Sequence, residues 1–249
     1  MTAPSATAGA TQSVSRTIHA ERVLLLGWGR ALLLQFAHPL VAQGIIDHSA
    51  FLRSRRGRWG RLRRTLDAML ALTYGTPDEA AAVAHGINAI HDRVHGHAVL
   101  ASPTRPVMPY SAHDPALLAW VHATLLDSFL LAYELYVAPL SAAAKDRYCA
   151  ESAGIEAMLG LPEGRLPRSM RALAAYMDEM LAGGELVVTD GARRLAAELL
   201  RPVPRIALPL MWLVRLPAIG LLPARLRGDY GYAWSPGREA ALRASARVI

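Results

Sequence analysis

The chain of 249 residues has one cysteine, Cys149, and one lysine, Lys145. A lone thiol forms no intrachain disulfide and supplies no cysteine pair for a structural zinc site. A reducing compartment, the cytoplasm, is the expectation that follows. Aromatic residues are only 6% of the chain, against abundant Ala and Leu, which tips the balance from sheet towards helix. The most apolar stretch, Ile206–Leu222, is interrupted by Pro209, Arg215 and Pro217, so an ordinary membrane-spanning helix is not expected there. Burial, or peripheral contact with a membrane, stays open for it. Residues 1–16 are small and polar and lack the apolar centre of a signal peptide. They read as a disordered tail before one helical domain over residues 17–249.

Several catalytic signatures are missing as well. There is no His-Glu-x-x-His pair, no Glu-x-x-His pair of a di-iron bundle, no Gly-rich phosphate loop followed by Lys, and no serine-hydrolase elbow. Gly27-Trp28-Gly29-Arg30 falls inside a helical pattern and is no dinucleotide fingerprint. Its glycines suit close helix packing or the approach of a flat ligand.

What the chain has is arginine, apolar helical periodicity and histidine. The net charge of +7 suits an anionic partner: nucleic acid, a membrane surface, or a cofactor bearing carboxylates. Nucleic acid ranks last, because basic and aromatic residues do not interleave. The spacing predicts an all-α fold. A first helix is expected over 19–36, a break at Pro39 and a second helical piece over 40–46. An arginine-rich segment leads into a helix ending near Thr73. Thr76-Pro77 and Asp114-Pro115 read as a cap followed by a first-turn proline. The helix from Pro77 is expected to reach His95, with a loop over 101–113. Further helices are expected over 116–136, 141–159, 168–181 and 192–200, and at the C-terminal end.

Nine histidines are present. Four residues apart on one helix, His91 and His95 would share a face. His122 lies in the most apolar helix, and His38 and His48 flank the Pro39 break. A histidine among apolar residues needs a hydrogen-bond partner or a metal. Internal imidazoles, many arginines and few internal carboxylates suit a planar anionic cofactor such as haem. One neutral imidazole would bind iron axially and arginines would pair with the propionates.

Ordered strings narrow this further. They are Arg30-x-x-Leu33-Leu34-Gln35-x-Ala37-His38-Pro39-Leu40-Val41-Ala42-x-Gly44, Asp47-His48-Ser49-x-Phe51, Arg61-x-x-Arg64-Thr65, Tyr74-Gly75 and His91-x-x-Val94-x-Gly96. Tyr110-Ser111-Ala112-x-Asp114-Pro115, Trp120-Val121-His122-Ala123-Thr124-Leu125 and Leu222-Pro223-x-Arg225-Leu226-Arg227 follow. Together they resemble the family of MpaB-type oxygenases and latex clearing proteins (rubber oxygenases), from about Ala20 to Ser235. The resemblance implies an all-α fold around haem b and an oxygenase that uses iron and O2 on an apolar, isoprenoid or lipid-like substrate. It implies His91 as the proximal ligand, with His95 the alternative. Arg61, Arg64 and Thr65 would shape the opposite side of the cofactor or its propionate environment, and Asp47 and His48 fall near a glutamate that would act as a base in the relatives. Arg30, His38 and His122 would complete the cofactor's surroundings. Arg64 stands where the rubber-cleaving relatives carry a lysine. An arginine stays protonated and cannot ligate iron, so that face and the substrate should differ. The electron donor is not legible. The alternatives are a haem or small-ligand binding protein without turnover, and a basic helical protein without haem.

Overall fold

The structure, a computed structural model, describes residues 13–49, 55–99, 107–201 and 208–247. Among these it forms twelve α-helices and a two-stranded antiparallel sheet. The helices are α1 (Val14–His19), α2 (Leu24–Phe36), α3 (Pro39–His48), α4 (Arg55–Tyr74), α5 (Pro77–His91), α6 (Pro115–Tyr136), α7 (Ala142–Ser152), α8 (Met170–Ala182), α9 (Asp190–Leu199), α10 (Leu208–Gly220), α11 (Ala224–Asp229) and α12 (Pro236–Ser245). Strands β1 (His95–Val99) and β2 (Val107–Ser111) stand between α5 and α6.

The expected punctuation chemistry operates. Pro39 opens α3 at a 104° bend after α2. Thr76 and Glu79 form a reciprocal capping box in front of α5, and Asp114 accepts from the Ala116 and Leu117 amides at the start of α6. Three expectations need correction. The helix predicted from His19 divides, because α1 ends at His19 and α2 starts at Leu24. Its Ser13 cap also places residues 13–16 in or beside a helix instead of in the tail predicted over 1–16. Further on, α5 stops at His91, and the stretch from His95 is a strand paired with 107–111. His91 and His95 therefore do not share a helix face.

The core is organised on α2, which packs against both α6 and α10. Glycines permit the approach: a Cβ at Gly27 would lie 2.6 Å from the Ser128 carbonyl oxygen, and one at Gly29 would lie 2.8 Å from the Ala218 Cβ. Close helix packing is thus what Gly27 and Gly29 serve. Arg30 is buried in the same layer. Its Nε donates to the Leu221 carbonyl at 2.6 Å, Nη1 to the Ser128 hydroxyl at 2.7 Å, and Nη2 pairs with Asp127 at 2.7 Å. Gln35 donates to Thr124, and Tyr230 donates to the Leu33 carbonyl. By length and composition α6 could cross a bilayer, but two thirds of its apolar window is buried against the protein, as expected of a core helix.

Glycine replacement gives opposite signs at two helical positions. Gly27→Ala forces a methyl group into the α6 backbone and costs about 1–3 kcal/mol. Gly86→Ala on α5 meets nothing within 4 Å and stabilises by roughly 0.5–1 kcal/mol. Urea or thermal unfolding of both variants checks this.

Candidate functional site

The expected site residues fall into three places. The first lies where the end of α3 meets the sheet. Gln43 donates to Asp47 Oδ1 at 2.8 Å, and the Tyr110 hydroxyl donates to Asp47 Oδ2 at 2.6 Å. His48 Nε2 lies 3.1 Å from the His95 carbonyl oxygen and 3.2 Å from the Tyr110 hydroxyl. A carbonyl only accepts, so Nε2 carries the proton and Nδ1 of the neutral ring holds the lone pair. Gly96 lets this ladder close, since a Cβ there would meet the Tyr110 oxygen at 2.7 Å. Burial and the Asp47 carboxylate both push the Tyr110 phenol well above its ordinary range, so it acts as a donor. Asp47 and His48 are thus joined to the strand that carries His95, whose side chain is exposed.

The second place is the α4–α5 pair. These helices pack together through the Gly75–Thr76 connection. Arg61 and His91 each lie about four helical turns from that connection. Arg64 and Thr65 are exposed on α4, and Arg64 makes no ion pair among the described residues. The side chain of Arg61 lies outside what the structure describes. His91 is half-buried and meets the His113 ring edge to face at 5.7 Å. His113 is held in turn by Asp92 at 2.7 Å.

The third place is the N-terminal half of α6. His122 Nε2 is sealed from solvent and has no hydrogen-bond partner among the described residues. Burial pushes its pKa down to about 4, against the opposing pull of Glu156, so the ring is neutral at ordinary pH. Glu156 is itself fastened by the Leu166 and Gly164 amides and by Arg168. Sequence reasoning passed over a second desolvated imidazole nearby, His19. Its Nδ1 is 2.7 Å from the Thr73 hydroxyl and its Nε2 is 2.9 Å from the Tyr148 hydroxyl. Nothing in the local pattern around His19 marks it, because its partners are 54 and 129 residues away. Tyr110 carries a weak signal, as an aromatic at a strand position beside a cap.

Two further expected residues, Arg30 and His38, lie beside carboxylates of the protein itself. Arg30, expected beside a propionate, has its guanidinium taken by Asp127, Ser128 and Leu221, in a site at 5% exposure. His38 is buried at the α2–α3 bend, 3.9 Å from Glu185. Burial lowers its pKa, while Glu185 and Asp114 oppose the shift. Two clefts also form on the described surface. One, of about 380 Å³, lies between the 186–188 segment and α11 and includes Arg193 and Arg225. The other, of about 250 Å³, lies between α3, the end of β1 and the start of α9. No histidine lines either of them.

The residues fit a haem in part. A haem needs a neutral imidazole in apolar surroundings and cations for its carboxylates. His122 offers a desolvated neutral imidazole with an open nitrogen, and α4 offers Arg64 without a carboxylate partner among the described residues. No cluster of three or more metal-ligating side chains occurs among the described residues, and a porphyrin-held iron requires none.

His19 makes stability depend on pH. Burial pushes its pKa down to about 4, below the roughly 6.5 of the unfolded chain. Above about pH 6.5 neither state binds the proton. As pH falls through 6.5 the unfolded chain gains one first, so stability drops towards pH 4. Between pH 7 and 5 the expected loss is about 2 kcal/mol from this residue. Urea midpoints across that range should fall for the unaltered chain and fall less for His19→Gln.

No curated protein and no solved structure matches the chain. A family model does: ER-bound oxygenase mpaB/B'/Rubber oxygenase, catalytic domain, over residues 15–249. That span includes α2–α12, both strands and all three groups of candidate residues. The chain therefore belongs to the mpaB/rubber oxygenase catalytic-domain family, a family of oxygenases.

Proposed function

We propose that the chain is a haem b-dependent oxygenase acting with O2 on an apolar, isoprenoid or lipid-like substrate, in which His91 would hold the iron. Family membership supports the oxygenase class. The structural observation that carries the cofactor reading is the neutral Nε2 of His122, sealed in the apolar helix α6 without a hydrogen-bond partner among the described residues. Leaving such a nitrogen without a partner costs about 1–3 kcal/mol, a cost a protein bears where a ligand completes the site. His91 is preferred to His95 because it is half-buried at the end of α5, whereas His95 points outward from β1.

Bound haem supplies the redox chemistry through which O2 reacts with an unactivated organic substrate. The protein's share is binding and proton handling. His91 presents an imidazole from a helix end, beside the His113–Asp92 pair. Arg61 and Arg64, always cationic, suit carboxylates or developing negative charge, and the Thr65 hydroxyl can donate beside them. His122 lines the apolar side as a neutral ring. Asp47 is oriented by Gln43 and Tyr110, and the Nδ1 lone pair of His48 makes that ring a proton acceptor. The substrate lies in a cytoplasmic or membrane-adjacent pool, and the basic chain can rest on an anionic membrane surface.

Titration with haemin should give a strong Soret band that His91→Ala abolishes and His95→Ala retains. Loss of the band in His95→Ala alone would overturn the ligand assignment. A chain that gains no band at any haemin concentration would sink the cofactor reading. O2-dependent formation of carbonyl products from an isoprenoid alkene then tests turnover.

A further inference from the structure

Tyr148, fully buried, and His19, half-buried, are a hydrogen-bonded pair that none of the proposed steps uses. Tyr148 is fully buried on α7, and its hydroxyl lies 2.9 Å from His19 Nε2. The direction of the proton can be read from a chain of three bonds. The Thr73 hydroxyl donates to the Met69 carbonyl at 2.8 Å, so its oxygen can only accept from the His19 ring. His19 Nδ1, 2.7 Å away, is therefore the protonated nitrogen. Nε2 then carries the lone pair and accepts the Tyr148 O–H. Ser152 also hydrogen-bonds the phenol oxygen.

Both resting groups are neutral. Burial pushes the phenol up and the imidazole down to about 4, so the proton stays on Tyr148 in the ground state. Removing one electron from a phenol makes its O–H strongly acidic. Among the described residues, the base hydrogen-bonded to the phenol is His19 Nε2, 2.9 Å away. Aromatic rings continue from the pair in edge-to-face steps: His19 to Phe129 at 5.9 Å, and Phe129 to Trp28 at 6.1 Å. Trp28 is buried at 6% exposure, so the row runs from the phenol through the core to α2.

We propose that Tyr148 and His19 form a redox site in which Tyr148 gives up one electron and passes its phenolic proton to His19 Nε2. The electron goes to a one-electron oxidant of the oxidised-iron class, which is reduced by one unit. The O–H bond breaks and an N–H bond forms on His19. The products are a neutral tyrosyl radical, held by Ser152, and an imidazolium whose Nδ1–H stays on Thr73. A one-electron reductant of the thiol or ascorbate class restores the phenol as the proton returns. In an oxygenase such a pair drains oxidising equivalents that fail to reach substrate. That role rests on the oxygenase reading, but the pair's redox chemistry stands on geometry alone.

The test separates the two by supplying the oxidant from outside. The haem-free chain is flash-oxidised with a photogenerated ruthenium(III) polypyridyl complex, and the radical is followed by high-field EPR with exchangeable-proton ENDOR. The expected result is a tyrosyl signal coupled to a strongly hydrogen-bonded exchangeable proton. Tyr148→Phe should remove that component, and His19→Gln should cut its yield at least tenfold. Thr73→Val keeps both members of the pair and frees the ring to take the other tautomer, so it should lower the yield and weaken the proton coupling. A signal unchanged in Tyr148→Phe, or a yield indifferent to both His19→Gln and Thr73→Val, overturns the proposal. Absence of a Soret band on haemin titration would count against the cofactor reading and leave this result standing.

Discussion

The close approach of α2 to α6 and α10 is the constraint on which the rest of the fold depends. Two helices come to backbone distance only where no side chain intervenes, and Gly27 and Gly29 supply that condition on two sides of one helix. The tight layer then traps Arg30. A buried guanidinium is tolerable only when its donors are met, and Asp127, Ser128 and the Leu221 carbonyl meet them. These partners lie on α6 and just after α10, so the same group that must be satisfied also ties three segments together. The charge expected to face a cofactor is consumed in holding the core.

From that layer the candidate chemistry radiates outward. The Pro39 bend turns α3 away from α2 and brings Asp47 and His48 against the sheet, where Tyr110 and the His95 carbonyl orient them. The C-terminal part of α4 leans on α1 through the His19–Thr73 bond, and α1 leans on α7 through Tyr148. His122 stands on the helix that α2 grips, near the Glu156 anchor of the following loop. Desolvation is the common theme of these imidazoles. It keeps His19 and His122 neutral, and a neutral imidazole can ligate a metal or accept a proton. His19 has both nitrogens hydrogen-bonded, whereas Nε2 of His122 has no hydrogen-bond partner among the described residues.

Local chemistry in the chain determined much by itself. Apolar periodicity and the missing strand alternation established the helical class, and Thr76-Pro77 and Asp114-Pro115 marked two helix starts because caps act within four residues. The ordered strings placed the chain in its family without any coordinates. Tertiary structure alone decided what depends on distant partners. The end of α5 at His91, which separates it from His95, follows from pairing of 95–99 with 107–111. Whether Arg30 faces a ligand or a carboxylate was set by Asp127, 97 positions along the chain. His19 became chemically distinct only when Thr73 and Tyr148 closed around it. A sequence window reports periodicity and caps, since these act between neighbours. Desolvation and the direction of a hydrogen bond belong to the packed molecule, because they depend on which remote atoms exclude water and which can still accept a proton.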